Sequence, residues 1–230
     1  MSHADYIKSI TSMNTLAISA ITTGEIKRYS KSDIHWVRVK NSHFNNIRFR
    51  KGDVYQFEFG KCPIPEMAYE HRGLILGVAG KLLYVLPICS FKAHNREHCN
   101  AYHKKDNPSG NDEFFLLKTD GFPFLRHDSI LKTNELKTVS IKRALYSHGR
   151  IDISGDMYKS IERKAFYKCF PSFSFKYDEQ KQDTIKLTEQ LEKSSEYIKQ
   201  LQSEHEDLKQ KYKDLQKELR TLKEQSKDTN

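Results

Sequence analysis

The 230-residue chain has no run of 18 apolar residues, which excludes a membrane-spanning helix. Its start, MSHADYIKSITSMNTLAISA, lacks a basic leader and a continuous apolar stretch, so no signal peptide is expected. Cysteine is sparse: Cys62, Cys89, Cys99 and Cys169 are scattered, and none belongs to a Cys-x-x-Cys pair. Such thiols stay free in a reducing compartment, so no disulfide framework is expected. These absences lead to the expectation of a soluble, cytoplasmic protein without a membrane partner. Negative charge is also short, with 39 Lys+Arg against 30 Asp+Glu and a net charge of +9. That excess favours a polyanion as partner, nucleic acid before an anionic lipid surface.

What is present divides into segments. Residues 1–48 place Tyr6, Ile7, Ile10, Met13, Leu16, Ala17 and Ala20 at roughly helical spacing, and Thr22-Thr23-Gly24 interrupts them. A helical N-terminal extension is therefore expected. Residues 49–176 hold the folded core. KGDVYQFEFG alternates like a strand, RGLILGVAG and KLLYVLPI read as a hairpin turning at Ala79-Gly80-Lys81, and DEFFLLK adds a fourth strand. HDSILK and LKTVSIKRAL supply a fifth extended region, and residues 91–112 read as one long polar loop. Short strands with turns between them point to a small barrel. A helix capped by Ser154 and carrying Met157, Ile161, Ala165 and Phe166 should end before Pro171.

Residues 178–225 carry a heptad pattern. Leu187, Ser194, Leu201, Leu208, Leu215 and Leu222 recur at d, with Leu191, Ile198, His205, Tyr212 and Leu219 at a. Apolar residues at both positions over five heptads predict a coiled coil and self-association through this segment. The alternative is a lone amphipathic helix folded back on the core. Paired His205 side chains would loosen the seam when protonated. Residues 226–230 are expected to be a disordered tail.

The order of motifs in the core resembles the MazF/PemK toxins. KGDVYQFEFG, HRGLILGVAG and KLLYVLPICS match the family's opening: a Gly-Asp-aromatic start, an Arg-led strand, and a strand ending in a Ser/Thr tetrad. HDSILKTNELKTVSIKRAL resembles the later strand segment and RIDISGDMYKSIERKAF the closing helix. The tetrad also resembles the strand-end motif of ToxN-like ribonucleases, toxins paired with an antitoxin RNA. The likeness covers about residues 50–170. It departs at Gly73, where the family usually has proline, at Cys89, where it has threonine, and in the longer 91–112 insertion. The resemblance implies an α+β fold: a small SH3-like β-barrel with a C-terminal helix, here extended by N-terminal helix and coiled coil. It implies a metal-independent endoribonuclease cutting single-stranded RNA, without cofactor, in a toxin–antitoxin or phage-defence setting. The antitoxin would be protein or RNA.

Such cleavage uses the ribose 2′-hydroxyl as nucleophile. It needs a base for that proton, an acid for the 5′-oxygen, and positive charge for the phosphoryl oxygens. Arg72 is the first catalytic candidate, by resemblance and because its planar fork suits phosphate. Without that role it is a surface charge at a strand start. Ser90 could donate to a phosphate oxygen, or cap the strand end. Cys89 could replace the family threonine, or be a small buried apolar residue. Lys51, Tyr55, Lys92, His94, Lys104 and Lys105 are candidate RNA contacts, since binding combines cations with flat side chains. The groove expected for RNA lies between the 60–71 and 91–112 loops. His94, His98, Cys99 and His103 could also form a zinc site, although their spacing fits no standard motif. Two other functions remain open: a non-catalytic nucleic-acid-binding module, and a coiled-coil scaffold whose barrel binds peptide.

Overall fold

The computed structural model describes residues 2–40, 42 and 47–225, with side chains in the last helix described through residue 220; the expected tail 226–230 lies outside the described residues. Two compact units are present, Met1–Pro171 and Ser172–Asn230. The first opens with α1 (His3–Ala20) and α2 (Thr23–Lys40). Ser2 starts α1 through a reciprocal capping box with Asp5. The expected interruption falls at Ile21 and Thr22, between these two helices. Lys61 ties α2 to the sheet, pairing with Asp33 at 2.6 Å and lying 3.4 Å from the Tyr29 ring centroid.

The sheet has eight strands: β1 (Asp53–Glu58), β2 (Glu70–Ala79), β3 (Leu82–Ser90), β4 (Ala101–Tyr102), β5 (Asn111–Leu117), β6 (Ser129–Lys132), β7 (Lys137–Ser140) and β8 (Ala144–Arg150). Its order is β4-β5-β6-β3-β2-β1-β8, with β7 paired to β3 off that path. Only β4 and β5 run parallel. The architecture is α+β, but no pairing among the described residues joins β4 to β8, so the sheet is open where a closed barrel was expected. Strand β3 does the work of two: Leu82–Val85 pair with β7, and Ile88–Ser90 pair with β6.

β2 and β3 form a hairpin that turns at Gly80, whose φ of +60° suits the first position of a tight hairpin turn. At Gly73 the reason for glycine is packing, because a Cβ there would lie 2.4 Å from Val85 Cγ1. Glycine at this position thus lets β2 pass close against β3 and Phe57.

Alternation of side chains builds a core on each face. One face buries Val54, Leu74, Leu86, Ile88, Phe115 and Leu131 beneath α4 (Asp156–Cys169), which adds Tyr158, Ile161 and Ala165. The other buries Phe57, Phe59, Ile75, Leu83, Val85 and Val139. Each fully buried side chain of this size contributes about 1.5–3 kcal/mol. Lys168 and Lys164 hold α4 to β5 through Asp112, at 2.8 and 3.5 Å.

Three local expectations are corrected. The N-cap of α4 is Gly155, while Ser154 instead donates its hydroxyl to the Asp152 carboxylate at 2.8 Å. The 91–112 segment is not one loop, since it contains α3 (Arg96–Cys99), β4 and the first residues of β5. Asn95 caps α3, its side chain accepting from the Glu97 amide at 2.9 Å. The fifth extended region is three strands, β6, β7 and β8.

Pro171 ends one helix and begins another. It pushes Phe170 out of helical geometry (φ −134°, ψ 59°) and then occupies the first position of α5 (Pro171–Gln225). α5 is 55 residues long and unbroken. Leu191, Leu208 and Leu215 along it are 72%, 64% and 62% exposed.

Candidate active site

Residues opposite one another in neighbouring antiparallel strands project to the same face. The register therefore lines up Tyr146 of β8, Gln56 of β1 and Arg72 of β2 beside Ile88 of β3 and Leu131 of β6. Two residues on, Ser90 of β3 stands opposite Ser129 of β6 on that same face. With strands about 4.8 Å apart, the row from Tyr146 to β6 extends roughly 19 Å. Polar side chains take over here where the apolar core under α4 stops.

His127 closes this row. It sits in the turn before β6, and the turn is pinned on both sides. The Asp128 carbonyl accepts from the Phe91 amide at 2.9 Å, and its carboxylate accepts from the Thr119 amide at 3.0 Å. That placement brings His127 Nε2 within 2.7 Å of Ser90 Oγ and 3.2 Å of Arg72 Nη2. A guanidinium has no acceptor, so Arg72 must donate and Nε2 must accept. The Ser90 hydroxyl shares the same nitrogen, and both contacts suit the tautomer whose ring proton is on Nδ1. Arg72 further donates to Ser129 Oγ at 3.4 Å, and Ser129 passes its own proton to the His127 carbonyl at 3.0 Å. The result is an exposed imidazole nitrogen held beside a fixed cation and a hydroxyl.

Arg72 is half-buried, and burial pulls its pKa below the ordinary arginine value, though a guanidinium remains charged. Among the described residues no carboxylate pairs with it. Arg126, exposed in the same turn as His127, adds a second positive charge that acts on both Arg72 and His148. His148 Nε2 donates to Gln56 Oε1 at 3.1 Å, and burial followed by the two arginines holds its pKa below the usual histidine value. The Tyr146 ring lies 5.2 Å from that of His148 and is 56% exposed, a flat face open to solvent at the end of the row.

The other sequence candidates lie elsewhere. Cys89 alternates with Ser90, so it points to the opposite face. There burial raises its thiol pKa, and its Sγ lies 4.0 Å from His98 Nε2. His98 Nδ1 accepts from the Lys92 amide at 3.0 Å, so Nε2 carries the proton and cannot deprotonate Cys89. Lys92 follows the end of β3, and its charge acts on Cys89 and His98, not on Arg72. His94 is exposed in the turn before α3. Lys51 pairs with Glu162 of α4 and lies 5.4 Å from the Tyr158 ring centroid. Tyr55 packs on Phe49, ring centroids 5.0 Å apart, within the second core. Lys104 pairs with Asp156 at 3.7 Å, at the start of α4, and Lys105 is exposed beside it.

The groove between residues 60–71 and 91–112 exists, with a volume of about 580 Å³, but it lies on the Cys89 face. Glu66, Glu97, Glu113 and Glu135 line it, which opposes a phosphate chain. The zinc alternative fails as well. His98 is bonded as above, His103 Nδ1 lies 2.8 Å from Asp106, and no group of three or more His, Cys, Asp or Glu among the described residues could hold a metal ion.

His127 was missed as a site residue although it stands in HDSILK. Its 55-residue separation from Arg72 in sequence gives no local signal, and only the β3–β6 pairing makes them neighbours. Among the described residues no helix is long and apolar enough to cross a membrane. No protein-family model matches the chain, and no curated protein matches it in sequence.

Proposed function

We propose that the chain is an endoribonuclease that cleaves single-stranded RNA on the Arg72–Ser90–His127 face without a metal ion. The observation that carries this reading is His127 Nε2 lying 3.2 Å from Arg72 Nη2 and 2.7 Å from Ser90 Oγ. His127 takes the proton of the ribose 2′-hydroxyl, and that oxygen attacks the adjacent phosphorus. Arg72, with Ser90, stabilises the charge gathering on the phosphoryl oxygens. The 5′-oxygen departs and takes a proton from solvent, which the open site admits. The products are a 2′,3′-cyclic phosphate and a 5′-hydroxyl.

Binding follows the same row. Arg126 supplies a phosphate contact, the Gln56 amide faces the base edges, and the open Tyr146 ring stacks on a base. This extends the MazF/PemK reading, in which the Arg-led strand and the tetrad strand form the site. The division of β3 between β7 and β6 supports an SH3-like ancestry for a sheet that stays open. A toxin role with a cognate antitoxin is the setting that this activity suits.

The test is cleavage by Arg72→Ala and His127→Ala proteins whose circular dichroism matches wild type. Loss of cutting in both supports the assignment. Undiminished cutting by His127→Ala removes His127 as the base. RNA retained but uncut by wild type indicates a binding module instead.

A further inference from the structure

The seam of α5 needs a partner, and its charge pattern specifies which one. From Leu187 to Leu222 the heptads span 36 residues, about 54 Å of helix. The described a and d leucines are all exposed, and apolar rows of this length are stable only when another helix covers them. Flanking the seam, the e positions are Thr188, Ser195, Gln202, Lys209, Gln216 and Lys223. The g positions are Gln190, Tyr197, Glu204, Lys211, Glu218 and Gln225. Every charged e residue is thus a lysine, and of the two flanking positions only g carries acidic residues.

In a parallel, in-register pair each g residue faces the e residue five positions on in its partner. Glu204 then meets Lys209, while Lys211 meets the neutral Gln216. No like charges oppose. An antiparallel pair instead sets e against e and g against g. Its e rows hold only lysines and neutral residues, so no attraction can form there. For strand number the seam gives two pointers, Ile198 at a against leucine at most d positions and the polar His205 at a, while Leu191, Tyr212 and Leu219 fill the other a positions. Within one helix Lys209 lies 3.5 Å from Glu206, and Glu204 accepts from Gln200 at 2.9 Å. Both contacts are exposed and easily exchanged for partner contacts.

We infer that α5 binds a second copy of this chain as a parallel, in-register, two-stranded coiled coil. Both copies of residues 1–171 are then tethered at the same end of the rod. Two RNA-cutting faces on one substrate would follow if the proposed activity holds, but the pairing itself rests on α5 alone.

The test uses the full chain. Sedimentation equilibrium should give twice the 27.0 kDa chain mass. Glu204→Lys alone and Lys209→Glu alone each oppose like charges and should weaken the dimer roughly tenfold. Mixing the two variants restores opposite charges on both sides and should restore wild-type affinity as a heterodimer. Ser194→Cys, combined with Cys99→Ser to remove the exposed native thiol, should form a disulfide-linked dimer on mild oxidation. A monomer or trimer overturns the inference. So does a dimer that neither cross-links through position 194 nor responds to the charge exchange.

Discussion

The two faces of the sheet end in opposite ways, although they share β2, β3 and β6. On the Cys89 face Lys132 and Lys137 both have carboxylate partners. Lys132 pairs with Glu135, while Lys137 lies 3.2 Å from Glu135 and 2.8 Å from Glu66. Glu135 also accepts from the Met67 amide, and Lys132 donates to the Pro65 carbonyl at 3.0 Å. The charges there pin the β1–β2 loop and leave little for a ligand. On the other face Arg72 bonds to His127 and Ser129, and among the described residues it has no carboxylate partner. A folded chain that only needed stability would neutralise it in the same way. A guanidinium beside histidine and serine, with no carboxylate partner among the described residues, is the arrangement on which the proposed anion site rests.

Exchanging the properties of the two faces separates them experimentally. Arg72→Ala should lower RNA cleavage by about 10³-fold, read as initial rates on a defined single-stranded substrate. Ser90→Ala should cost about tenfold, the loss of one donor to Nε2 and to phosphate. On the other face Glu135→Ala should leave cleavage near wild type but lower stability by about 2 kcal/mol in urea unfolding, because Lys132 loses its carboxylate and Lys137 one of its two. A large cleavage defect in that variant would break the division of labour. The smallest effect belongs to Cys89→Ala, which should change cleavage by less than about twofold.

The histidines give a dependence on pH. Burial, as the largest cause, lowers the pKa of His71, His98 and His148 from 6.5. The unfolded chain therefore binds protons that the folded chain resists, so stability is full above about 6.5 and declines as pH falls below it. Arg28, Arg72 and Lys92 oppose protonation of His71, and Glu135 favours it. Tm should fall between pH 7.5 and 5.5, and His98→Gln should flatten that fall. An unchanged slope would assign the effect to other groups.

Much of the framework can be read from residue order alone. Alternation in KGDVYQFEFG and the glycine in Ala79-Gly80-Lys81 encode β1 and the β2–β3 hairpin through local geometry. The heptads encode α5 in the same way. Period-two alternation even separates Cys89 from Ser90, since neighbours in a strand cannot share a face. What local pattern does not carry is the meeting of distant segments. β3 recruits β6 through tertiary pairing, and with it come His127 and Ser129. Lys51 and Lys104 look like free cations in sequence, but Glu162 and Asp156 of α4 meet them only after that helix docks. The order inside 91–112 arises similarly, because β4 exists only by pairing with β5.

Incubation of the full chain with a mixed single-stranded RNA pool in EDTA, followed by mapping of the fragment ends, tests the central claim most directly. Catalysis by His127 beside Arg72 predicts discrete cuts that leave 2′,3′-cyclic phosphates and 5′-hydroxyls, absent with His127→Ala. RNA left intact by wild type, or cuts that persist in His127→Ala, would contradict it.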